Sequence, residues 1–191
     1  DASWLAPILL VQVALLQPLG LTVLDVLAAR ESGSGASLAR NLTLPFRNPM
    51  TIGTLLGLAA NLFNVHIPAV VQQPLDLLAG LAVPTMLLAF GIALRRGPVP
   101  GKGPLLAETL TLSLIKLVLQ PLVAFVMARV LGLDAAATLA VTVIAGLPTA
   151  QNVFVHSVRY DRATVLARDV IFITTIASIP TITLIAGLIG T

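Results

Sequence analysis

The residues with the clearest chemical potential form a short run from Pro148 to Asn152. The run lies in a charge-free stretch, Ala135 to Val155, that is long enough to cross a bilayer, which takes about 20 apolar residues. A proline removes one backbone donor and clashes with the carbonyl four residues earlier, here that of Ile144, so we expect the helix to break. The half-helix after the break would offer free amides and a positive dipole end to an anion. We therefore predict a substrate or ion site at Pro148, Thr149, Ala150, Gln151 and Asn152.

The same run has a plainer interpretation. In it, Pro148 only kinks the helix, and the polar side chains hydrogen-bond a neighbouring helix. Both interpretations share one constraint. Lipid offers no hydrogen-bond partner, so an interrupted helix at membrane depth must face protein or a water-filled cavity. Many secondary transporters build their substrate sites in this way.

Lys116 is the only charge well inside an apolar segment. An intramembrane charge is costly and is a functional candidate by default. Its ammonium would balance an anionic substrate or pair with a carboxylate, either on a helix outside this chain or, within it, at Asp25 or Glu108. The alternative is that the lysine stem snorkels to the membrane surface near Glu108. We include Lys116 among the predicted substrate-binding residues.

Three further residues are predicted to act as gates or hinges. Pro84 and Pro121 lie deep in apolar segments, where each is either a hinge or a packing kink. Asp169 follows Arg168 one turn into the last segment, and the pair forms either a gate or ion pair at the inner mouth or an interfacial anchor. Asp76, near the start of the third segment, suits the positive end of a helix dipole.

The composition places these residues in a membrane. The chain has 191 residues, is 57% hydrophobic and 10% charged, and has a mean hydropathy of +1.00. Soluble domains carry about 25% charged residues. We predict an all-α fold, a polytopic bundle of six transmembrane helices at residues 4–29, 49–65, 74–94, 109–130, 135–155 and 164–189. Asn48, Asp134 and Asp161 are placed to cap the second, fifth and sixth of these helices.

Basic residues mark alternate connections between these segments. Most of the lysines and arginines lie in or beside three of the connections, as the positive-inside rule requires of cytoplasmic loops. Both ends of the chain are therefore predicted to lie outside the cytoplasm. We divide the chain into a transmembrane helix at 1–30, a flexible cytoplasmic linker at 31–48 and a five-helix unit at 49–191.

Other function classes find little support. The chain has no cysteine, which excludes disulfides and thiolate metal sites, and its two histidines, His66 and His156, are predicted to be loop residues far apart in the sequence. It has neither an HExxH metal motif nor a G-x-S-x-G nucleophile elbow. We predict no enzyme, no cofactor and no metal. Membrane topology explains the basic residues better than nucleic-acid binding does.

Several motifs are more specific than the apolar background. They are Gly146-Leu-Pro-Thr-Ala-Gln-Asn-Val-Phe-Val155, Arg159-Tyr160, Ala167-Arg168-Asp169, Asn48-Pro49 with Leu55-Leu56-Gly57, and Ile115-Lys116-Leu117 before Pro121. Together they resemble the C-terminal part of the auxin efflux carrier family. The resemblance implies ten transmembrane helices in two inverted five-helix repeats, with the fifth helix and the second repeat in this chain. Pro148 would be the proline of a broken crossover helix, the ninth. Because the chain begins at Asp1 rather than Met, we expect further N-terminal helices to precede it.

The resemblance also implies a function. Members of the family export indole-type auxin in plants, and bacterial relatives are associated with small carboxylates such as malate or malonate. We expect a secondary transporter of efflux carrier type, in a bacterial inner membrane, that moves a small organic anion by alternating access. Proton or sodium coupling and a homodimer stay open. So do two alternatives: a sodium-coupled organic-anion symporter of the bile-acid type, and a non-transporting membrane assembly module.

Overall fold

The computed structural model describes residues 8, 10–31 and 49–189, and these residues are helical apart from short connections. The all-α prediction is confirmed for this part of the chain. Beyond Glu31, the predicted linker at 31–48 lies outside the described residues, as does the predicted helix cap at Asn48. The chain divides into two compact units, Asp1–Asp76 and Leu77–Thr191.

Among its described residues, the first unit holds two short apolar helices and the beginning of a third. A π-helical turn at Gln12–Leu16 leads into α1, Gln17–Glu31, and α2 follows at Pro49–Leu62. Helix α3, Ala69–Arg96, starts in this unit and continues into the next.

The second unit carries the predicted site. One helix of 25 residues, Leu106–Val130, consists of α4, a π-helical segment and α5. The remaining helices are α6, α7 and α8. Their bounds are Leu106–Leu114 for α4, Ile115–Leu119 for the π segment, Gln120–Val130 for α5, Ala135–Ala145 for α6, Asn152–Arg159 for α7 and Thr164–Ile189 for α8.

Three of these helices are long and apolar enough to cross a membrane: α3, Leu106–Val130 and α8. Their outward side chains are largely apolar, and Val70 at the start of α3 is 84% exposed. An apolar exterior of this kind suits contact with lipid rather than water. The predicted helix at 135–155 is divided into α6 and α7, each shorter than a membrane span.

The turn between α5 and α6 shows how local sequence sets the packing. Gly132 adopts a positive φ of 69°, a conformation that glycine takes without steric penalty. The Leu133 N–H then donates to the Ala128 carbonyl at 3.0 Å, which closes the end of α5. Asp134 caps α6, as predicted, because its carboxylate accepts the Ala137 N–H at 2.7 Å. This tight connection folds α6 back against α5.

An aromatic cluster joins α3, α7 and α8. Phe90 of α3 and Phe154 of α7 meet edge to face, with ring centroids 5.4 Å apart and planes at 86°. Ile171 of α8 is fully buried against them. Edge-to-face rings contribute about 0.5–1.5 kcal/mol beyond the area they bury. The short helix α7 is thus fixed to its neighbours by packing rather than by its own length.

Candidate functional site

The helix predicted around Pro148 is interrupted. Helix α6 ends at Ala145, α7 begins at Asn152, and the six residues between them, Gly146–Gln151, are not helical. We call this segment the break. The Gly146 and Leu147 amides still bond back to the last turn of α6, so the chain leaves the helix at Pro148, where no amide is available.

The α6 side of the break lies close against α8. A Cβ added at Gly146 would lie 3.0 Å from the Cδ1 of Ile185 and 3.4 Å from the Val143 carbonyl oxygen. That spacing is tighter than an ordinary van der Waals contact. A glycine at this position therefore lets the broken end approach the neighbouring helix.

The α7 side of the break is held by a hydroxyl of α8. The Thr149 N–H donates to the Oγ1 of Thr174 at 3.1 Å. Thr174 is fully buried, and its own hydroxyl donates to the Val170 carbonyl at 2.7 Å. One hydroxyl thus satisfies a non-helical amide that would otherwise be costly to bury.

The next three backbone N–H groups, unlike that of Thr149, are available to a ligand. Within the described residues, the N–H groups of Ala150, Gln151 and Asn152 have no backbone or side-chain acceptor. The Gln151 Oε1 is buried and also has no hydrogen-bond partner in the described part of the chain, while the Asn152 side chain is exposed. The three backbone N–H groups lie at the N-terminal end of α7, where the helix dipole favours an anion.

Lys116 contacts the end of α6 next to the break. It lies in the π-helical segment, and its Nζ donates to the Ala145 carbonyl at 3.2 Å and to the Gln120 Oε1 at 2.9 Å. The structure therefore brings Lys116 together with the last residue of α6, which the sequence spacing did not indicate. Both of these acceptors are neutral oxygen atoms, and the predicted pairing of Lys116 with a carboxylate stays a prediction.

The π-helical segment has a local cause. The Gln120 N–H donates to the Ile115 carbonyl, five residues back, and Pro121 follows immediately. A proline ring clashes with the carbonyl four residues earlier, and a wider turn relieves that clash. Pro121 is buried inside a helix that continues to Val130, so its hinge role stays a prediction.

Pro84 lies in the uninterrupted helix α3 and is exposed. The neighbouring Thr85 hydroxyl donates to the Leu81 carbonyl at 2.6 Å, within the same helix. No described hydrogen bond links either residue to the break. The hinge predicted at Pro84 therefore also stays a prediction.

Arg168 and Asp169 form a buried ion pair near the start of α8. Their exposed fractions are 2% and 3%, and the Arg168 Nε and Nη2 lie 2.8 Å and 2.5 Å from the Asp169 Oδ1. The guanidinium also donates to the carbonyls of Ala93 at 3.2 Å and Pro98 at 2.8 Å. The Asp169 Oδ2 accepts the Gly101 N–H at 3.3 Å. The pair thus fastens α8 to the end of α3 and to the loop that follows.

Both side chains are almost fully buried and form an ion pair. The two predicted roles of this pair, at the inner mouth or as an interfacial anchor, both stay predictions. A gating role for Asp169 stays a prediction. The loop assignment of His156 is wrong, because this residue lies in α7, whereas His66 lies in a connection as predicted.

Sequence reasoning missed Thr174 and Gly97. Thr174 could have been found from spacing, because Val170, Thr174 and Ser178 recur every four residues on one buried face of α8. No residue spacing in the sequence marks Gly97 in this way. A Cβ at Gly97 would collide with the Arg168 guanidinium and lie 2.9 Å from the Ala93 carbonyl oxygen.

Comparison with known proteins gives two matches. A family model described as "Membrane transport protein" matches residues 36–186. A protein of Rhizobium meliloti (strain 1021) named "Putative malonate transporter" is 32% identical over 137 residues, which cover 71% of this chain and 42% of that relative. The chain therefore spans less than half the length of this curated relative. No solved structure matches the chain significantly.

Proposed function

The chain belongs to the Membrane transport protein family, and on that basis we propose that it carries part of the pathway of a small organic anion across the membrane. Family membership agrees with the resemblance to auxin efflux carriers and with the three membrane-length apolar helices. The protein is an integral membrane protein. The substrate, the mechanism and the bacterial inner membrane as its location belong to the proposal.

One observation carries the proposal: open donors and a fixed cation meet at the same helix break. The amides of Ala150, Gln151 and Asn152, which have no acceptor within the described ranges, lie on the α7 side, and the Lys116 ammonium contacts the α6 side. A carboxylate accepts several hydrogen bonds, and bonds to an ionised acceptor are about twice as strong as neutral ones. The N-terminal end of α7 adds a favourable dipole.

The site is also arranged to bind the anion weakly enough that it can be released. Lys116 already donates to two protein oxygen atoms, so it contributes positive potential near the break without forming a tight ion pair. Conduction and transport both require that a bound solute can leave again. Backbone N–H groups and one side-chain amide, with the Lys116 ammonium at one side, would bind a substrate without a tight ion pair. Such a site suits a substrate that must be released.

We propose a small carboxylate, and malonate is the first compound to test because the Rhizobium relative is named for it. The proposed mechanism is alternating access around the broken helix, with six transmembrane helices in this chain and an inverted repeat in the complete protein. The broken helix would then be a crossover helix. No covalent chemistry is needed for such a cycle.

The test is substrate flux in proteoliposomes containing the full-length protein that includes this chain. We expect wild type to take up radiolabelled malonate, and we expect Asn152→Ala to reduce the initial rate about tenfold or more. The reason is that a hydrogen bond to a charged group contributes about 1.5–3 kcal/mol. Asn61→Ala is the matched control, since Asn61 is also exposed on a helix but lies in the first unit, Asp1–Asp76. Its flux should equal that of wild type.

Pro148→Ala tests the break itself. An amide at position 148 would allow α6 to extend toward α7, which would occupy the open donors, so we expect flux to fall. Pro74→Ala, at an exposed proline in α3, is the control. Membrane insertion is measured for every variant by extraction and gel filtration. Wild-type malonate flux with unchanged rates in both Asn152→Ala and Pro148→Ala would refute the site assignment and favour a transport path elsewhere.

A further inference from the structure

The position of the Lys116 ammonium also bears on the ion that is coupled to transport, a question separate from the identity of the substrate. Transporters with broken helices commonly bind Na⁺ at unwound carbonyls and at the C-terminal ends of half-helices, where the dipole is negative. In this protein the C-terminal end of α6 already has a positive partner. The Lys116 Nζ lies 3.2 Å from the Ala145 carbonyl oxygen.

We propose that the Lys116 ammonium is a tethered cation that fills, at the C-terminal end of α6, the position an alkali ion would otherwise occupy. The geometry supports this in two ways. Lys116 lies near the middle of the 25-residue helix Leu106–Val130, too deep for its charge to be balanced by bulk water alone. Its two acceptors, a helix-end carbonyl and the Gln120 Oε1, are both neutral oxygen atoms of the type that binds Na⁺ and K⁺.

The side chain of Lys116 is directed toward α6, where its Nζ donates to the Ala145 carbonyl. A snorkelling lysine places its ammonium in water and leaves the neighbouring helix uncapped. Lys116 instead bridges its own helix and α6, across 29 residues of sequence. The π-helical segment at Ile115–Leu119 changes the helical phase at this point, and wide turns of this kind are frequent at functional sites.

Removal of the ammonium should create a cation site. Without it, the Ala145 carbonyl and the Gln120 Oε1 lose their donor at the negative end of α6. A solution cation gains from binding there, and a ligand that binds only the folded state stabilises it by mass action. The wild-type protein, whose position is filled, should be indifferent to the alkali ion. This inference rests on the proposed function only where flux is the measurement.

The first experiment measures thermal unfolding of the purified full-length protein in NaCl, KCl and choline chloride at equal ionic strength. We expect the same midpoint for wild type in all three salts. We expect Lys116→Ala to unfold several degrees lower in choline and to regain about 3 °C in NaCl. Lys102→Ala is the matched control, because it removes an exposed loop lysine and should behave as wild type does.

A second variant keeps the experiment informative if the alanine protein fails to fold. Lys116→Met retains an apolar stem that packs in the same helix and loses only the charge, and the same gain in NaCl is expected. A wild-type midpoint that rises by about 3 °C in NaCl would overturn the proposal, since it would reveal an unfilled cation site. Folded Lys116→Ala and Lys116→Met proteins that gain nothing from Na⁺ or K⁺ would also overturn it.

Flux separates this inference from the proposed function. Wild-type malonate uptake should be unchanged when Na⁺ is replaced by choline, whereas uptake by Lys116→Met should depend on Na⁺. Na⁺-dependent wild-type uptake would refute the tethered cation. If wild type moves no malonate in any salt, the proposed substrate is wrong, and the unfolding midpoints alone decide the role of Lys116.

Discussion

The buried ion pair of Arg168 and Asp169 makes a quantitative prediction. Replacing Asp169 with leucine leaves the guanidinium with two carbonyl acceptors, those of Ala93 and Pro98, but with no negative charge. It also leaves the Gly101 N–H without its acceptor. Breaking a buried ion pair by removing one partner costs about 3–5 kcal/mol, because an uncompensated charge remains. We therefore expect Asp169→Leu to lower the free energy of unfolding by about 3–5 kcal/mol.

The double variant isolates the charge term. In Arg168→Met combined with Asp169→Leu no charge remains buried, and two apolar residues of similar size can replace the pair at little cost. The loss that remains comes from three hydrogen bonds to the loop and to the end of α3, about 1 kcal/mol each where water cannot substitute. The double variant should therefore be more stable than Asp169→Leu alone.

The assay is reversible unfolding of the full-length protein in mixed micelles, followed by far-ultraviolet circular dichroism. Wild type, both single variants and the double variant form a double-mutant cycle, in which we expect a coupling energy of about 2 kcal/mol or more. Asp76→Leu is the control, because Asp76 is exposed and its carboxylate accepts only the Gln72 amide among the described contacts. Single-variant losses that simply add, within about 0.5 kcal/mol, would refute the argument.

Two further substitutions test the contacts that position the break and the loop. Thr174→Val removes the acceptor of the Thr149 N–H, so we expect a loss of about 1–3 kcal/mol in unfolding free energy and slower malonate uptake. Unchanged stability would mean that the Thr149 amide hydrogen-bonds to water instead. Gly97→Ala places a methyl group against the Arg168 guanidinium and the Ala93 carbonyl, so we expect a loss of about 1–3 kcal/mol, and a variant as stable as wild type would show that the loop adjusts freely.

The sequence predicts the helices well where hydropathy and local caps decide them. Helix α8 has the predicted bounds, and α2 and α6 begin where predicted. Helix α3 starts at Ala69 rather than at Pro74, because the residue after Pro68 already begins the helical turn. The cap predicted at Asp161 is wrong, because Asp161 lies in a turn at a φ of 49° and α8 begins only at Thr164.

The site is predictable only in part, for a physical reason. The break follows from one proline, since the missing donor is a local property. The contacts that position the break join residues far apart in the chain: Lys116 to Ala145, and Thr149 to Thr174. Such contacts depend on how three helices pack against one another, and the periodicity of residues within one helix does not reveal that packing. Lys116 was therefore identified as a candidate, but its partner was not.

These contacts determine which groups remain available for a ligand. The Ala145 carbonyl is engaged by Lys116, the Thr149 amide by Thr174, and Phe154 of α7 is packed against Phe90. Each fixes one part of the broken helix, so the amides from Ala150 to Asn152 are held in place without an acceptor among the described residues. Donors fixed before binding lose little conformational entropy when an anion arrives. If Thr174→Val weakens binding while Phe90→Leu does not, the hydroxyl contact rather than the packing of α7 orients these donors. Equal effects of the two substitutions would instead show that the position of α7 as a whole decides affinity.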